Sequence, residues 1–156
     1  MGRKWDHNRE YRNISMIRLI IMGKGKNKFL LEEYIKNKNL RDKVKLIGYK
    51  KNPYPYIQNS NIVLLSSKYE GLPNILLEGQ FLKKYIISTN CPTGPKEILL
   101  NGKAGDLVKI GDYKKIAELI YTYYEKKKQI NKMIKVGTDN FYRFDYTVKR
   151  KKYLNF

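Results

Sequence analysis

The sequence is poor in the residues that form disulfides and metal sites, and it has no long apolar run. Among its 156 residues there is one cysteine, Cys91, and one histidine, His7. A single cysteine excludes an internal disulfide and fits a reducing compartment. No apolar stretch approaches the roughly 20 residues that span a bilayer, and the start lacks the apolar centre of a signal peptide. We therefore expect a cytoplasmic protein, with His7 inert in a poorly ordered basic start over residues 1–15.

Acidic residues are also scarce. The chain has 33 Lys and Arg against 14 Asp and Glu, which gives a formal net charge of +19. Such a charge favours anionic partners such as phosphates, nucleic acid or an anionic membrane surface. Lys, Asn, Ile and Tyr are all abundant, however, so a composition-wide bias that places lysines on a solvated surface explains the charge equally well. Both interpretations stay open.

Short apolar segments alternate with helical patterns along the chain. The third apolar segment, residues 62–66, is apolar up to its final serine, so we predict that it is a central strand. Strands that alternate with helices predict an α/β fold, a Rossmann-like parallel sheet with helices on both faces. Ligands bind such sheets beyond the carboxyl ends of the strands. The predicted strands cover residues 16–22, 44–48, 62–66, 85–88 and 106–109.

Boundary signals define two of the helices. Pro73 is expected at the first position of a helix over residues 73–84. Asp112 is a predicted N-cap for a long helix that Gly137 interrupts. The apolar residues of that helix recur at i, i+3, i+4 and i+7, and they are Ile116, Leu119, Ile120 and Tyr123.

These patterns divide the chain into three parts. Residues 1–15 form the basic start, residues 16–136 form the predicted ligand-binding domain, and residues 137–156 form a C-terminal helical tail. We expect a last helix in that tail from about Phe144.

The segment after the third strand carries the strongest chemical signal. Glu70 and Gly71 lie in a loop before a predicted helix start, where the helix dipole stabilises an anion by roughly 0.3–2 kcal/mol. Glu78 lies in an apolar stripe, three residues after Ile75 and four before Leu82. A carboxylate there needs hydrogen-bond donors. Ribose hydroxyls are suitable donors, and so are local backbone amides or a lysine.

Several motifs occur in a characteristic order. A Gly23-Lys-Gly25 turn follows the first strand, Gly48-Tyr49 ends the second, and Glu70-Gly-Leu-Pro is followed eight residues later by Glu78. Gly94-Pro-x-Glu97 and Asn101-Gly-x-Ala-Gly105 come next. Over about residues 19–124 this order resembles the C-terminal, donor-binding domain of the retaining GT-B glycosyltransferases of family 4, also called group 1.

The resemblance implies a role for each matching position. Glu78 accepts hydrogen bonds from the nucleotide ribose, and Glu70, the implied catalytic residue, lies beside the donor sugar. Tyr49 falls where the family places the base. Enzymes of this kind need no metal and no cofactor, and the donor is a nucleoside-diphosphate sugar, here expected to be UDP-linked. The remaining implied donor-binding positions are Gly23, Gly25, Gly71, Leu72, Pro73 and Asn74.

The resemblance also implies a reaction. Such enzymes transfer a hexose, with retention, to a polysaccharide or lipid-linked glycan in bacterial capsule or lipopolysaccharide synthesis. The match covers only half of a GT-B fold, so we expect the isolated chain to be inactive and an N-terminal acceptor domain to come from another chain. The alternative is a truncated, non-catalytic nucleotide-sugar-binding module.

A basic surface bears on the location of the protein. Lysine-rich stretches at residues 126–128 and 149–152 could meet anionic lipid at the inner face of the membrane, but an ordinary solvated face explains either stretch alone better. Basic residues and fourteen tyrosines suit single-stranded nucleic acid. No RNA-binding motif accompanies them, so we expect no nucleic-acid partner.

Overall fold

The computed structural model describes residues 16–144, in which five strands alternate with helices. The chain divides into two compact units, with the boundary between Pro53 and Tyr54. Every strand pair is parallel, which confirms the predicted α/β class. The predicted ligand-binding domain over residues 16–136 stays a prediction. The basic start, the stretch at 149–152 and the body of the last predicted helix lie outside the described residues.

The first unit is small and has little core. Strand β1 (Leu19–Met22) is followed by helix α1 (Lys28–Asn37) and strand β2 (Val44–Gly48). β1 pairs with β2 in parallel, with Leu19 opposite Val44. Within residues 16–53, Ile35 of α1 is the one large apolar side chain that is buried, at 8% exposure.

The second unit contains a three-stranded sheet. Its strands are β3 (Ile62–Leu65), β4 (Tyr85–Thr89) and β5 (Asp106–Val108), in the order β3-β4-β5. The third strand was predicted to be central, but in this sheet the central strand is β4, and each of its five residues is buried. β4 is buried because it has a strand on each side and side chains packed on both faces.

Helices cover both faces of this sheet. Tyr85 and Ile87 of β4 point to one face, where they pack with Leu119 and Ile130. Ile86 points to the opposite face, where its Cδ1 lies 3.3 Å from the place a Cβ on Gly79 would occupy. The helices of this unit are α2 (Tyr54–Gln58), α3 (Asn74–Phe81), α4 (Pro95–Ile98), α5 (Tyr113–Tyr121) and α6 (Lys127–Asp139), with 3-10 turns at Leu100–Gly102 and Phe141–Phe144.

The start and the end of α3 differ from the prediction. Pro73 is the N-cap, with extended backbone, and not the first helical residue. The helix ends at Phe81 because Lys83 adopts a left-handed conformation (φ +55°). The amide of Lys84 donates back to the carbonyl of Gly79 at 2.8 Å, which closes the helix end and leads directly into β4.

The long helix predicted after Asp112 is two helices. Asp112 is the N-cap as predicted, and its carboxylate accepts from the Lys115 amide at 2.9 Å. Gly137 does not interrupt the second helix. It lies inside α6, where a Cβ would be 3.1 Å from Nε2 of Gln80, so the glycine lets the helix pack closely. The interruption comes earlier, after Tyr121.

Candidate functional site

Two loops meet at the carboxyl edge of the second unit's sheet. We call residues 66–73, after β3, the first rim loop, and residues 90–94, after β4, the second rim loop. The amide of Glu70 donates to the Pro92 carbonyl at 2.9 Å, and the amide of Thr93 donates to the Glu70 carbonyl at 2.8 Å. The Thr93 hydroxyl also donates to that carbonyl, at 3.0 Å. The two loops therefore hold each other in place around Glu70.

A glycine allows this close approach. Gly94 has a φ of +92°, and a Cβ there would lie 2.6 Å from the Gly71 carbonyl oxygen and 2.7 Å from Cδ of Pro73. Both distances are shorter than a real Cβ contact, so position 94 has no room for a side chain. The contact holds in place Pro73, which is buried and is the N-cap of α3.

The Glu70 side chain is oriented by its own loop. The hydroxyl of Ser67 donates to Oε1 of Glu70 at 2.6 Å, and the side chain is half-buried. The Ser67 carbonyl in turn accepts from the Thr89 hydroxyl at 2.6 Å. A chain of hydrogen bonds thus runs from the end of β4 to the Glu70 carboxylate.

The beginning of α3 offers backbone donors beside this carboxylate. The amide of Leu76 donates to the Pro73 carbonyl. The amides of Asn74 and Ile75 lie before this first bond, so they have no acceptor within the helix. Gly71, Leu72 and Asn74 are exposed. An exposed helix start with such amides suits an anion.

Glu78 lies one turn further along α3 and lines an open pocket of about 420 Å³ together with Asn74. The Glu78 side chain is half-buried. A carboxylate in this pocket can accept hydroxyl donors, while aromatic rings supply a flat apolar wall. The other lining residues are Tyr54, Leu77, Phe81 and Phe141.

A second open pocket, of about 570 Å³, is lined by the second rim loop and by residues that follow it. It offers an ammonium group, a carboxylate and an amide, from Lys96, Glu97 and Asn101. Glu70 lines neither of these two pockets. The predicted convergence of the Glu70 and Glu78 carboxylates on one cleft stays a prediction.

The other predicted site residues lie in the first unit. Gly23 has a φ of +130°, and its amide donates to the Gly48 carbonyl at 3.0 Å. Gly25 accepts from the Lys28 amide at 3.2 Å, where α1 begins. Tyr49 is exposed, and the Lys24 ammonium lies 5.6 Å from the centre of its ring. The structure therefore groups Gly23 and Tyr49 at the ends of β1 and β2.

Two residues of the site had no role assigned from the sequence. These residues are Ser67 and Thr93. Ser67 contacts Glu70 within the same loop, three residues away. Thr93 contacts it from the second rim loop, 23 residues away, and no local pattern predicts that contact. The one signal in the sequence for these contacts was a small hydroxyl-bearing residue in each loop, which can donate a hydrogen bond to a nearby acceptor.

The shifted pKa values lie away from these loops. Burial, and then a 2.5 Å hydrogen bond to Asp106, raise the pKa of the Tyr85 hydroxyl far above its usual range. The hydrogen bond between Lys115 and Glu118 raises the pKa of the lysine and lowers that of the glutamate. All of these groups stabilise the fold or its surface and are not arranged as a proton-transfer site.

Within residues 16–144, no group of three His, Cys, Asp or Glu side chains is placed to hold a metal ion. None of the helices in that part of the chain is long and apolar enough to cross a membrane.

Known proteins resemble the chain in sequence and in fold. The profile of the family described as "Glycosyl transferases group 1" matches residues 8–139. An uncharacterized glycosyltransferase of Methanocaldococcus jannaschii is 46% identical over 82 residues, which are 53% of this chain and 20% of that protein. N-acetylgalactosamine-N,N'-diacetylbacillosaminyl-diphospho-undecaprenol 4-alpha-N-acetylgalactosaminyltransferase of Campylobacter jejuni is 30% identical over 112 residues, 72% of this chain and 31% of that protein.

The solved structures show the same fold. A mutant of S. aureus TarM, in complex with fondaparinux, alpha-GlcNAc-glycerol and UDP, matches with a TM-score of 0.81 and 22% identity. The match covers 94% of this chain and 30% of that one. The fold is therefore Rossmann-like, one half of a GT-B fold, as predicted. The chain spans less than a third of the length of each of these three proteins.

Proposed function

Because the chain belongs to the group 1 glycosyl transferases, we propose that it binds the nucleotide-sugar donor of a retaining hexosyltransferase. The donor is a UDP-linked sugar, and the hexose passes to a polysaccharide or lipid-linked glycan. The name of the C. jejuni relative contains a diphospho-undecaprenol-linked acceptor, which supports the lipid-linked class. TarM, whose fold this chain shares, was solved with UDP bound, which supports the uridine nucleotide.

One observation carries the proposal. An exposed helix start, a hydrogen-bonded carboxylate and a pocket with a second carboxylate occur within nine residues of one motif, from Glu70 to Glu78. We assign the diphosphate to the amides at the start of α3, because the helix dipole and unpaired donors stabilise negative charge there. We assign the ribose hydroxyls to Glu78, because its carboxylate lines the neighbouring pocket.

Glu70 is assigned to the donor sugar as the catalytic residue. Its carboxylate already accepts from Ser67, and both its amide and its carbonyl are bonded to the second rim loop. A carboxylate held in this way needs little reorganisation when a sugar hydroxyl donates to it. Such preorganisation is the source of electrostatic stabilisation in a transition state.

The departing diphosphate needs a positive environment, and the proposal supplies it without a metal or cofactor. The start of α3 contributes its dipole, and the exposed ammonium groups of Lys68 and Lys96 lie on the two segments that follow β3 and β4. Gly23, Gly25 and Tyr49 of the first unit are assigned to the nucleotide side of the donor, as the family resemblance implies.

Two partners complete the proposed reaction. The acceptor side is expected from an N-terminal domain, and until it is present we expect no sugar transfer. The cytoplasmic face of the membrane presents lipid-linked acceptors, and exposed Lys127 and Lys128 at the start of α6 favour anionic lipid by about 1 kcal/mol for each close basic residue.

The alternative function is a non-catalytic nucleotide-sugar-binding module, which would use the same residues. The two functions differ in turnover, because only the first gives a glycosylated product once an acceptor domain is added.

Calorimetry with UDP, several UDP-sugars and a GDP-sugar tests donor binding. We expect Glu78→Gln to weaken UDP and UDP-sugar alike by about tenfold, which is about 1.4 kcal/mol. Glu70→Gln should weaken the UDP-sugar and leave UDP unchanged, because Glu70 is assigned to the sugar. The matched control is Glu125→Gln, an exposed glutamate between α5 and α6. No heat at millimolar ligand, or equal affinities in all variants, would contradict the proposal.

A further inference from the structure

The pocket of about 570 Å³ at the second rim loop, which we call the rim pocket, is lined by four polar side chains that no other side chain occupies. They belong to Asn90, Lys96, Glu97 and Asn101, and all four residues are exposed. Within residues 16–144 none of these side chains makes a hydrogen bond or an ion pair. The volume lies in the range of roughly 300–1,000 Å³ that small-molecule sites have. The rim pocket therefore offers several hydrogen-bonding groups to a ligand.

The charges that line the rim pocket balance each other. Lys96 contributes a positive charge and Glu97 a negative one, although the whole chain carries +19. The Glu97 carboxylate repels a phosphate or another anion, whereas most of the surface of so basic a chain attracts anions. The rim pocket therefore favours a neutral ligand over an anionic one.

The chemistry of the lining indicates a ligand rich in hydroxyl groups. A carboxylate accepts hydrogen bonds, an ammonium group donates them, and an amide does both, so together they match hydroxyls, which also do both. Among the described residues, no aromatic ring lines this pocket, whereas three aromatic residues line the Glu78 pocket. A nucleotide base thus finds no ring to stack on. Pro92 adds a small apolar surface, which suits the C–H face of a sugar ring.

The rim pocket borders the position that we assign to the donor sugar. Thr93 lines the pocket, and its amide and its hydroxyl donate to the Glu70 carbonyl at 2.8 and 3.0 Å. Glu70 itself does not line the pocket. A sugar bound in the rim pocket is therefore a neighbour of the donor sugar and is not the donor sugar itself.

We propose that the rim pocket binds a neutral sugar unit of the glycan acceptor through Asn90, Glu97 and Asn101. The assignment to the acceptor rests on the proposed function, because that function places the donor sugar at Glu70. Lys96, already assigned to the surroundings of the diphosphate, lies between the two ligands. The second unit thus contributes to acceptor binding in addition to the expected N-terminal domain.

An NMR titration of the isotope-labelled chain with methyl glycosides tests the proposal. The probes are the methyl glycosides of glucose, galactose, N-acetylglucosamine and N-acetylgalactosamine, each up to high millimolar concentration. We expect at least one of them to shift the amides of Asn90, Glu97 and Asn101. The shifts should persist at high salt, because the ligand is neutral. Inorganic phosphate should leave these amides unshifted, and saturating UDP should leave glycoside binding unchanged.

The chain offers a matched pair of variants for the amide contact. Asn101 and Asn39 are both exposed and both left-handed, with φ of +56° and +53°. Glycine adopts this conformation without strain, so Asn→Gly removes the side chain at either position without straining the backbone. Asn101→Gly should weaken glycoside binding about fivefold, as the loss of one hydrogen bond does. Asn39→Gly, in the first unit, should leave it unchanged.

Glu97→Gln is a second variant, and it keeps the size of the side chain. It should weaken glycoside binding about fivefold, and it should allow phosphate to shift the amides of the rim pocket, because the charge of Lys96 is then no longer balanced. Glu125→Gln, at an exposed glutamate outside the pocket, should have neither effect. Circular dichroism confirms that each variant is folded.

Three results would overturn the proposal. The first is the absence of pocket shifts with all four glycosides, and the second is an equal loss of binding in Asn101→Gly and Asn39→Gly. The third is displacement of the glycoside by UDP-glucose but not by UDP, which would place the donor hexose in the rim pocket. Failure of UDP to shift residues 71–75 would instead contradict the proposed donor site, so the two failures are distinguishable.

Discussion

The two units of the chain bury their apolar side chains to very different degrees. Among residues 16–144, Ile35 is the one buried large apolar residue before Tyr54, whereas the second unit buries a continuous set around β4. The second unit also holds the two rim loops, which are bonded to each other through Glu70 and Thr93. The comparison teaches that the second unit, which carries the proposed diphosphate and ribose contacts, has its own core. The first unit leaves most of its apolar side chains exposed.

Local stability should follow the same division. Segments with few buried apolar contacts open at low free-energy cost, and segments with a packed core open only on global unfolding. We therefore expect the second unit to determine the measured free energy of unfolding, and the first unit to open independently of it.

The largest effect is expected from the core of the second unit. Ile87 is fully buried and packs with Val108, Leu119 and Ile130, so Ile87→Ala should lower the free energy of unfolding by about 2–5 kcal/mol. Urea denaturation followed by far-UV circular dichroism measures the change. Ile110→Ala, at an exposed site, should stay within about 0.5 kcal/mol. If Ile87→Ala lowers the free energy of unfolding by less than about 1 kcal/mol, the second unit does not have the packed core that distinguishes it from the first.

The next effect is a difference between two variants, and it is expected where the rim loops touch. Gly94 and Gly102 both have positive φ, +92° and +89°, but a Cβ would clash only at Gly94. Both alanine variants incur backbone strain of about 1–3 kcal/mol, and Gly94→Ala should cost about 1–3 kcal/mol more because of overpacking. Parallel urea titrations measure the difference. Equal losses in the two variants would show that the loop contact is not tight.

A helix cap gives a moderate effect in the second unit. Asp112 accepts from the Lys115 amide at the start of α5, so Asp112→Ala should lower the free energy of unfolding by about 1 kcal/mol. Asp112→Asn keeps an acceptor and should retain most of that stability. If the asparagine variant loses as much as the alanine variant, capping is not the cause.

The smallest global effect is expected from the first unit. Ile35→Ala removes its one buried large apolar side chain, yet the global free energy of unfolding should change by less than about 0.5 kcal/mol, because this unit opens by itself. Native-state hydrogen exchange should accelerate at the Ile21 amide and stay unchanged at the Ile87 amide. Equal acceleration at both amides would mean that the two units unfold together.

The sequence predicts the elements of this fold well where the signal is local. The strand over 44–48 and the Asp112 cap occur as predicted, because apolar runs and capping side chains act over a few residues. The break after Tyr121 was not predicted. No glycine or proline marks it, and Tyr123 belongs to the apolar pattern of the predicted helix; its ring stacks on Tyr85, 6.0 Å away, which only the folded chain determines.

The interpretation of Gly137 failed for a related reason. Glycine is a poor helix former, so a break was expected there, but the absence of a side chain is used for packing against Gln80. The candidate site shows the same limit. Glu70, Glu78 and the start of α3 follow from one contiguous motif, whereas the bond from Thr93 to Glu70 depends on how β3 and β4 are paired.

The most direct test of the account is an NMR titration of the isotope-labelled chain with UDP. Within the second unit, the account predicts amide shifts concentrated between Gly71 and Ile75 and at Glu78, with a strong reduction of those shifts in Glu78→Gln. Shifts confined to the lysines of α6, decreasing with salt and unchanged in that variant, would show that the nucleotide merely follows the positive charge and would contradict the proposed donor site.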